Sequence, residues 1–271
     1  MNNTDQYRVP SLIEQARADF EYQKSLSIDL PSHSILLNIF QPLKPYRICP
    51  IHRLTSIDHV LFLPEKVKKT KTYSIDTNKI GSEGHVTLII IELREIEENE
   101  NCILTFEMLH LPIPYTYLWT MIQKLLKTIF RSQNKFFIWN NNNNRNDLCV
   151  LIDHHYLSPD AFYEINMFEL QNSSKHWHHR RHEHNEYYSS KSSYHPYKQN
   201  GDEWTIEKAI NYLFHESIIK FNKNMHNPLY YMNHYVCYCL ALTKVSLIIE
   251  LDWTWEQMAQ FKKFYQNTKI I

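Results

Sequence analysis

Three consecutive segments carry strand patterning. In TYSIDT (72–77), Tyr73 and Ile75 alternate with Ser74 and Asp76, which puts the two sets on opposite faces of a strand. After a turn at Gly81–Gly84, HVTLIIIELREI (85–96) is apolar almost without interruption, as a central strand is. CILTFEMLHL (102–111) is a third strand, ended by Pro112 and Pro114. The period then changes. In YTYLWTMIQKLLKTIF (115–130), Leu118, Trp119, Ile122, Leu125, Leu126 and Ile129 recur at helical spacing. KFFIWN (135–140) predicts a fourth strand, and DLCVLID (147–153) fits a short helix or a fifth strand equally well.

The second half is helical. EWTIEKAINYLFHESIIKF (203–221) predicts a helix with Glu203 and Glu207 near its positive end. HYVCYCLALTKVSLIIEL (234–251) is hydrophobic nearly all round, so it is expected to be mostly buried. DWTWEQMAQFKKFYQN (252–267) closes the chain as a helix capped by Asp252 or Thr254. Residues 1–65, punctuated by Pro10, Pro31, Pro42, Pro45, Pro50 and Pro64, read as a loop-rich extension. KVKKTKT (66–72) reads as a solvated linker, with phosphate contact as the other reading. The run Asn140–Asn144 reads as a loop insertion, and residues 171–203 as a long polar loop inserted in the domain at 66–271. Three strands, a helix, a strand and further helices make an α/β protein with a mixed sheet.

Composition narrows the class. With 43% hydrophobic and 14% aromatic residues among 271, the chain can build a real core. Lys+Arg and Asp+Glu are 29 each, so any nucleic-acid or membrane attraction must come from a local patch. The five cysteines are scattered and suggest no disulfide framework, which favours a reducing compartment. Cys237 and Cys239 point about 200° apart on a helix and read as two buried thiols. The polar start has no apolar signal core, and CYCLALTKVSLIIEL looks too short to span a bilayer. These features predict an intracellular protein, nuclear or cytoplasmic, with no membrane partner.

Three stretches in order carry candidate chemistry. IDTN ends the first strand, with Asp76 and Asn78 on one face. FFIWNNNNNRNDL follows the first long helix, and its one acid is Asp147. YVCYCLALTKV lies in the late buried helix, after WTIEKAINYLF. Together, over residues 70–260, they resemble the DEDD 3′–5′ exonucleases of the ribonuclease H-like superfamily, in particular the Tyr-containing branch. The resemblance implies a ribonuclease H-like mixed five-stranded sheet flanked by helices. It also implies two divalent ions, Mg²⁺ or Mn²⁺, that activate water and stabilise the leaving 3′ oxygen. Residue by residue, Asp76 matches the first acid and Asp147 the second-motif acid, both as metal ligands, and Tyr235 matches the Tyr that orients water. Asn78 stands where the family has Glu, and Cys239 where it has Asp. Two Mg²⁺ ions bring four positive charges, which one or two carboxylates cannot balance; Glu92 and Asp153 are the neighbouring acids without a spacing argument. The expectation is a degenerate exonuclease fold with weakened or lost catalysis that holds single-stranded DNA or RNA in the old cleft. Taken singly, Asp76 reads as a turn residue, Asp147 as a solvated loop acid and Tyr235 as a core aromatic.

The stretch HWHHRRHEH offers a second class of function. His178 and His182 at i, i+4 share a helix face and suit Zn²⁺ or Cu²⁺. Arg180, Arg181 and Lys191, interleaved with Tyr187, Tyr188 and Tyr194, suit single-strand contact by charge and stacking. A functionless insertion is the plain reading. The alternative to the nucleic-acid reading is therefore a non-catalytic scaffold or metal-responsive module that uses this histidine-rich loop.

Overall fold

The computed structural model describes residues 38–80, 85–94, 99–182, 204–218 and 228–267. In chain order the strands are β1 (Asn38–Ile39), β2 (Tyr46–Ile51), β3 (Thr72–Ile80), β4 (His85–Leu93), β5 (Asn101–Glu107), β6 (Lys135–Ile138), β7 (Asn166–Glu169) and β8 (Glu216–Ser217). The helices are α1 (Ile57–Lys69), α2 (Tyr117–Ile129), α3 (Asn141–Leu148), α4 (Val150–Asp153), α5 (Pro159–Tyr163), α6 (Leu170–His182), α7 (Ile206–Phe214), α8 (Pro228–Glu250) and α9 (Trp255–Asn267).

Six strands form one mixed sheet in the order β2-β5-β4-β3-β6-β7. The β3–β4–β5 meander is antiparallel, while β6 runs parallel to β3, β7 parallel to β6, and β2 parallel to β5. Alternation along β3 and β4 builds two cores. Tyr73, Ile75, Ile89, Ile91 and Leu93 face α1 and α2 through Val60, Leu63, Trp119, Ile122 and Leu126. Leu88 and Ile90 face the other way, toward Ile210, Leu213, Val236, Leu240 and Val245 of α7 and α8. A sheet buried on both faces explains the near-continuous apolar run of β4.

Several expectations change. Residues 46–65 are part of the fold rather than a loop-rich extension. Pro50 sits in β2, an edge strand, where a missing ladder donor is tolerated. Pro64 lies inside α1, which persists because Ser56 caps it and Val60, Leu63 and Val67 are buried. Residues 1–37 lie outside the described residues. The basic run is no linker: its Lys66, Lys68 and Lys69 end α1, where cations suit the dipole.

The asparagine run opens α3 rather than a loop, and DLCVLID is helical through α3 and α4. The strand that completes the sheet beyond β6 is NMFE (β7), four residues too short for a periodicity signal. With β2 on the far edge, the sheet has six strands rather than five. The first part of the polar segment, Leu170–His182, is α6, with Ser174, Trp177 and His178 buried; residues 183–203 lie outside the described residues.

Helix α7 ends at Phe214, because His215 takes a left-handed conformation (φ 55°) and releases the chain into β8, which pairs with β1. Thr254 rather than Asp252 caps α9: its hydroxyl accepts from the Gln257 N–H while Gln257 Oε1 accepts from the Thr254 N–H. Met232–Glu250 is long and apolar enough to cross a membrane by length and composition, contrary to expectation, yet over half of it is buried inside the protein.

One ion pair fastens the small β1–β8 sheet to α8. Lys244 Nζ, fully enclosed, lies 2.6 Å from Glu216 Oε2 and 3.1 Å from the Gln41 carbonyl oxygen, over the Phe214 ring at 4.5 Å. Removing one partner strands a buried charge. Glu216→Ala is expected to lower unfolding free energy by about 3–5 kcal/mol in urea titration. Glu216→Gln, which keeps a hydrogen-bond acceptor, should cost less.

Candidate active site

Asp76 pairs with Ile90 across β3–β4, and with Ser74 it lies on the strand face opposite Tyr73 and Ile75. That face meets α8, where the Cys239 thiol donates to the Ser74 carbonyl oxygen at 3.2 Å and lies 3.8 Å from that of Ile90. Where the resemblance calls for an Asp, the helix thus presents a thiol tied to strand backbone. Burial, with the negative charges of Glu92 and Asp76, pushes that thiol well above its usual value, so it stays neutral.

Asp76 keeps some solvent access, but desolvation by its surroundings pushes the carboxyl up to about 7. The Thr77 N–H pulls the other way, and the charges of Asp147 and Glu207 push it further up. Asp147 and Glu207 are therefore the two acids that share a field with Asp76. Asp147, on α3, is buried at the end of β3. Its Oδ2 accepts from Thr77 Oγ1 at 2.8 Å, and its Oδ1 lies 2.5 Å from Lys79 Nζ.

Glu207 sits in the first turn of α7, after the Thr205 cap. Burial works to raise it, but hydrogen bonds from the Thr205 and Tyr238 side chains and its own N–H, with His234 nearby, hold it below the ordinary Glu value. The Tyr238 hydroxyl donates to Glu207 Oε1, and burial, this bond and the Glu207 and Asp76 charges raise Tyr238.

The structure thus brings Asp76, Asp147, Glu207 and Tyr238 into one neighbourhood. Tyr235 stands beside it, its ring 6.3 Å from that of Tyr238. Sequence reading missed Tyr238, Glu207 and Lys79. The first lies three residues past Tyr235, nearly one helical turn, and the second was read only as a dipole complement. Nothing in the sequence announces Lys79.

Glu92 and Asp153 do not complete the set. Glu92 pairs with Ser74 and is sealed between Asn101 Nδ2 at 2.6 Å and Thr243 Oγ1 at 2.5 Å. Asp153 lines a surface cavity of about 720 Å³ with Gln123, Lys127 and His155, on the α2 side. Among the described residues no three His, Cys, Asp or Glu side chains are placed to hold a metal ion. The described residues therefore do not fit a two-ion centre. His178 is not free for a metal either: buried, it hydrogen-bonds Tyr212 at 3.1 Å and packs edge-on to Trp204.

No family model matches this chain, and no curated protein sequence does. Solved structures do. The EXO domain of Aedes aegypti Nibbler superposes with a TM-score of 0.50 at 12% identity, covering 79% of this chain and 92% of that one. Escherichia coli RNase D, an exoribonuclease involved in structured RNA processing, gives 0.48 at 12% identity, over 83% of this chain. This chain spans about half the length of that RNase D, 51%. The fold matches that of the Nibbler EXO domain. At this identity the likeness establishes the ribonuclease H-like architecture, and the site must be argued from its own residues.

Glu92 gives a pH test of this buried layer. Burial, offset in part by Thr243, Arg94, Asn101 and Lys44, raises it from 4.5 to about 7. Between those values the folded chain binds more protons than the unfolded chain, so Glu92 stabilises fully below pH 4.5 and less as pH rises through about 7. Glu92→Gln, an isostere of the neutral acid, is expected to flatten this dependence. At pH 8.5 it should raise stability by on the order of 3 kcal/mol, read from urea titrations across pH.

Proposed function

We propose that this chain binds single-stranded nucleic acid in the cleft of an exonuclease-type domain, with catalysis weakened or lost. The observation that carries this reading is the state of the acids around Asp76. Asn78 is neutral, Cys239 is a protonated thiol spent on strand backbone, and Asp147 is already paired with Lys79. Hard divalent ions need several anionic or neutral oxygen donors in open geometry, and this cleft supplies too few. What its residues still offer is hydrogen bonding and local charge at the end of β3. Any residual cleavage would draw on Mg²⁺ or Mn²⁺ at Asp76 and Asp147.

Binding through phosphates weakens as salt rises. A labelled single strand is expected to bind at low salt with affinity that falls steadily as NaCl is added. A 3′-end-labelled strand in Mn²⁺ is expected to be shortened no faster by wild type than by Asp76→Ala. No binding even at low salt would overturn the nucleic-acid reading. Asp76-dependent release of nucleotides would overturn the loss of catalysis.

A further inference from the structure

We propose that Lys79 is a tethered cation that takes the place of a divalent metal ion at Asp147 and donates hydrogen bonds to a strand phosphate. The phosphate half rests on the nucleic-acid reading above; the metal half does not.

Both oxygens of Asp147 are taken by the chain itself, Oδ1 by Lys79 Nζ at 2.5 Å and Oδ2 by Thr77 Oγ1 at 2.8 Å. A metal ion reaching this carboxylate must displace an ammonium that is covalently held and already in place. The pair is also asymmetric in exposure: the Asp147 side chain is 7% exposed and that of Lys79 is 43% exposed. One end is anchored in protein and the other opens to solvent. An ammonium has three N–H donors, so donors remain for a ligand on the open side. Anchoring removes rotamer freedom that a free lysine loses only on binding.

The backbone supports this placement. The β3–β4 register shifts between Asn78, paired with Leu88, and Lys79, paired with Val86, so Thr87 is the extra residue of a bulge. Bulges re-aim side chains next to sites, and the extra residue here is on β4, so β3 keeps its alternation: Thr77 and Lys79 share the face opposite Asp76 and Asn78, and both reach Asp147. Lys79 neutralises that acid. The consequence is strand binding that does not require a divalent ion.

Two measurements test this. The first is fluorescence anisotropy with a labelled oligo-uridine of about 12 nucleotides, in EDTA and in Mn²⁺. Wild type should bind equally in both buffers. Lys79→Met should bind about tenfold more weakly in EDTA, and Lys79→Arg should retain binding. The second is Mn²⁺ titration of the protein alone by electron paramagnetic resonance, comparing wild type with Lys79→Met. The variant should bind Mn²⁺ at least about tenfold more tightly. Three results would overturn the proposal: Mn²⁺ strengthening wild-type strand binding, Lys79→Met binding the strand as wild type does, or equal Mn²⁺ affinity in wild type and Lys79→Met. If wild type binds no strand in either buffer, the nucleic-acid reading and the phosphate contact fall together, and the Mn²⁺ titration still decides what occupies Asp147.

Discussion

Thr243 of α8 meets Ser74 of β3 at 2.7 Å and Glu92 of β4 at 2.5 Å, and one turn earlier Cys239 donates to the Ser74 carbonyl. These bonds lay the long apolar helix across the two central strands at a fixed height and rotation. The apolar residues around them, Val236, Leu240 and Val245, supply the burial that holds the helix down. Everything at the candidate site depends on that contact. It sets which residues of α8 look at β3, and it makes the surroundings of Asp76 and Glu92 so dry that both carboxyls are pushed up to about 7.

A carboxyl near half-protonation at neutral pH carries only part of a negative charge. The remaining acids are answered from within the chain, each differently. Tyr238 and Thr205 serve Glu207, and Lys79 and Thr77 serve Asp147. An exonuclease centre keeps its carboxylates clustered and unpaired so that metal ions can balance them. Here protons, hydroxyls and one ammonium do the balancing.

Much of the fold was legible because β3, β4, β5 and α2 carry strong periods over many residues. The failures have particular causes. Proline was read as a breaker at Pro50 and Pro64, whereas an edge strand and a well-buried helix absorb it. The Asn-rich α3 has no apolar face to announce it, and is helical beside Leu148 and Leu151, which join the first core. NMFE is a strand because β6 offers it a parallel partner, not because its own pattern demands one. At the site, the order of motifs located Asp76 and Asp147 near one another. Helix rotation then brought Tyr238 toward Asp76 and left Tyr235 alongside.

What the sequence determined by itself is the fold class and the residue types along β3 and α8. Alternation on β3 puts Asp76 and the neutral Asn78 on one face, and no packing can turn an amide or a thiol into a carboxylate. What only the tertiary structure decided is how the remaining acids are neutralised. The Lys79–Asp147 pair joins residues 68 positions apart, and Tyr238–Glu207 joins two different helices. Such pairings depend on sheet register, a bulge and helix rotation, which arise from the packing of the whole domain and leave no local pattern in the chain.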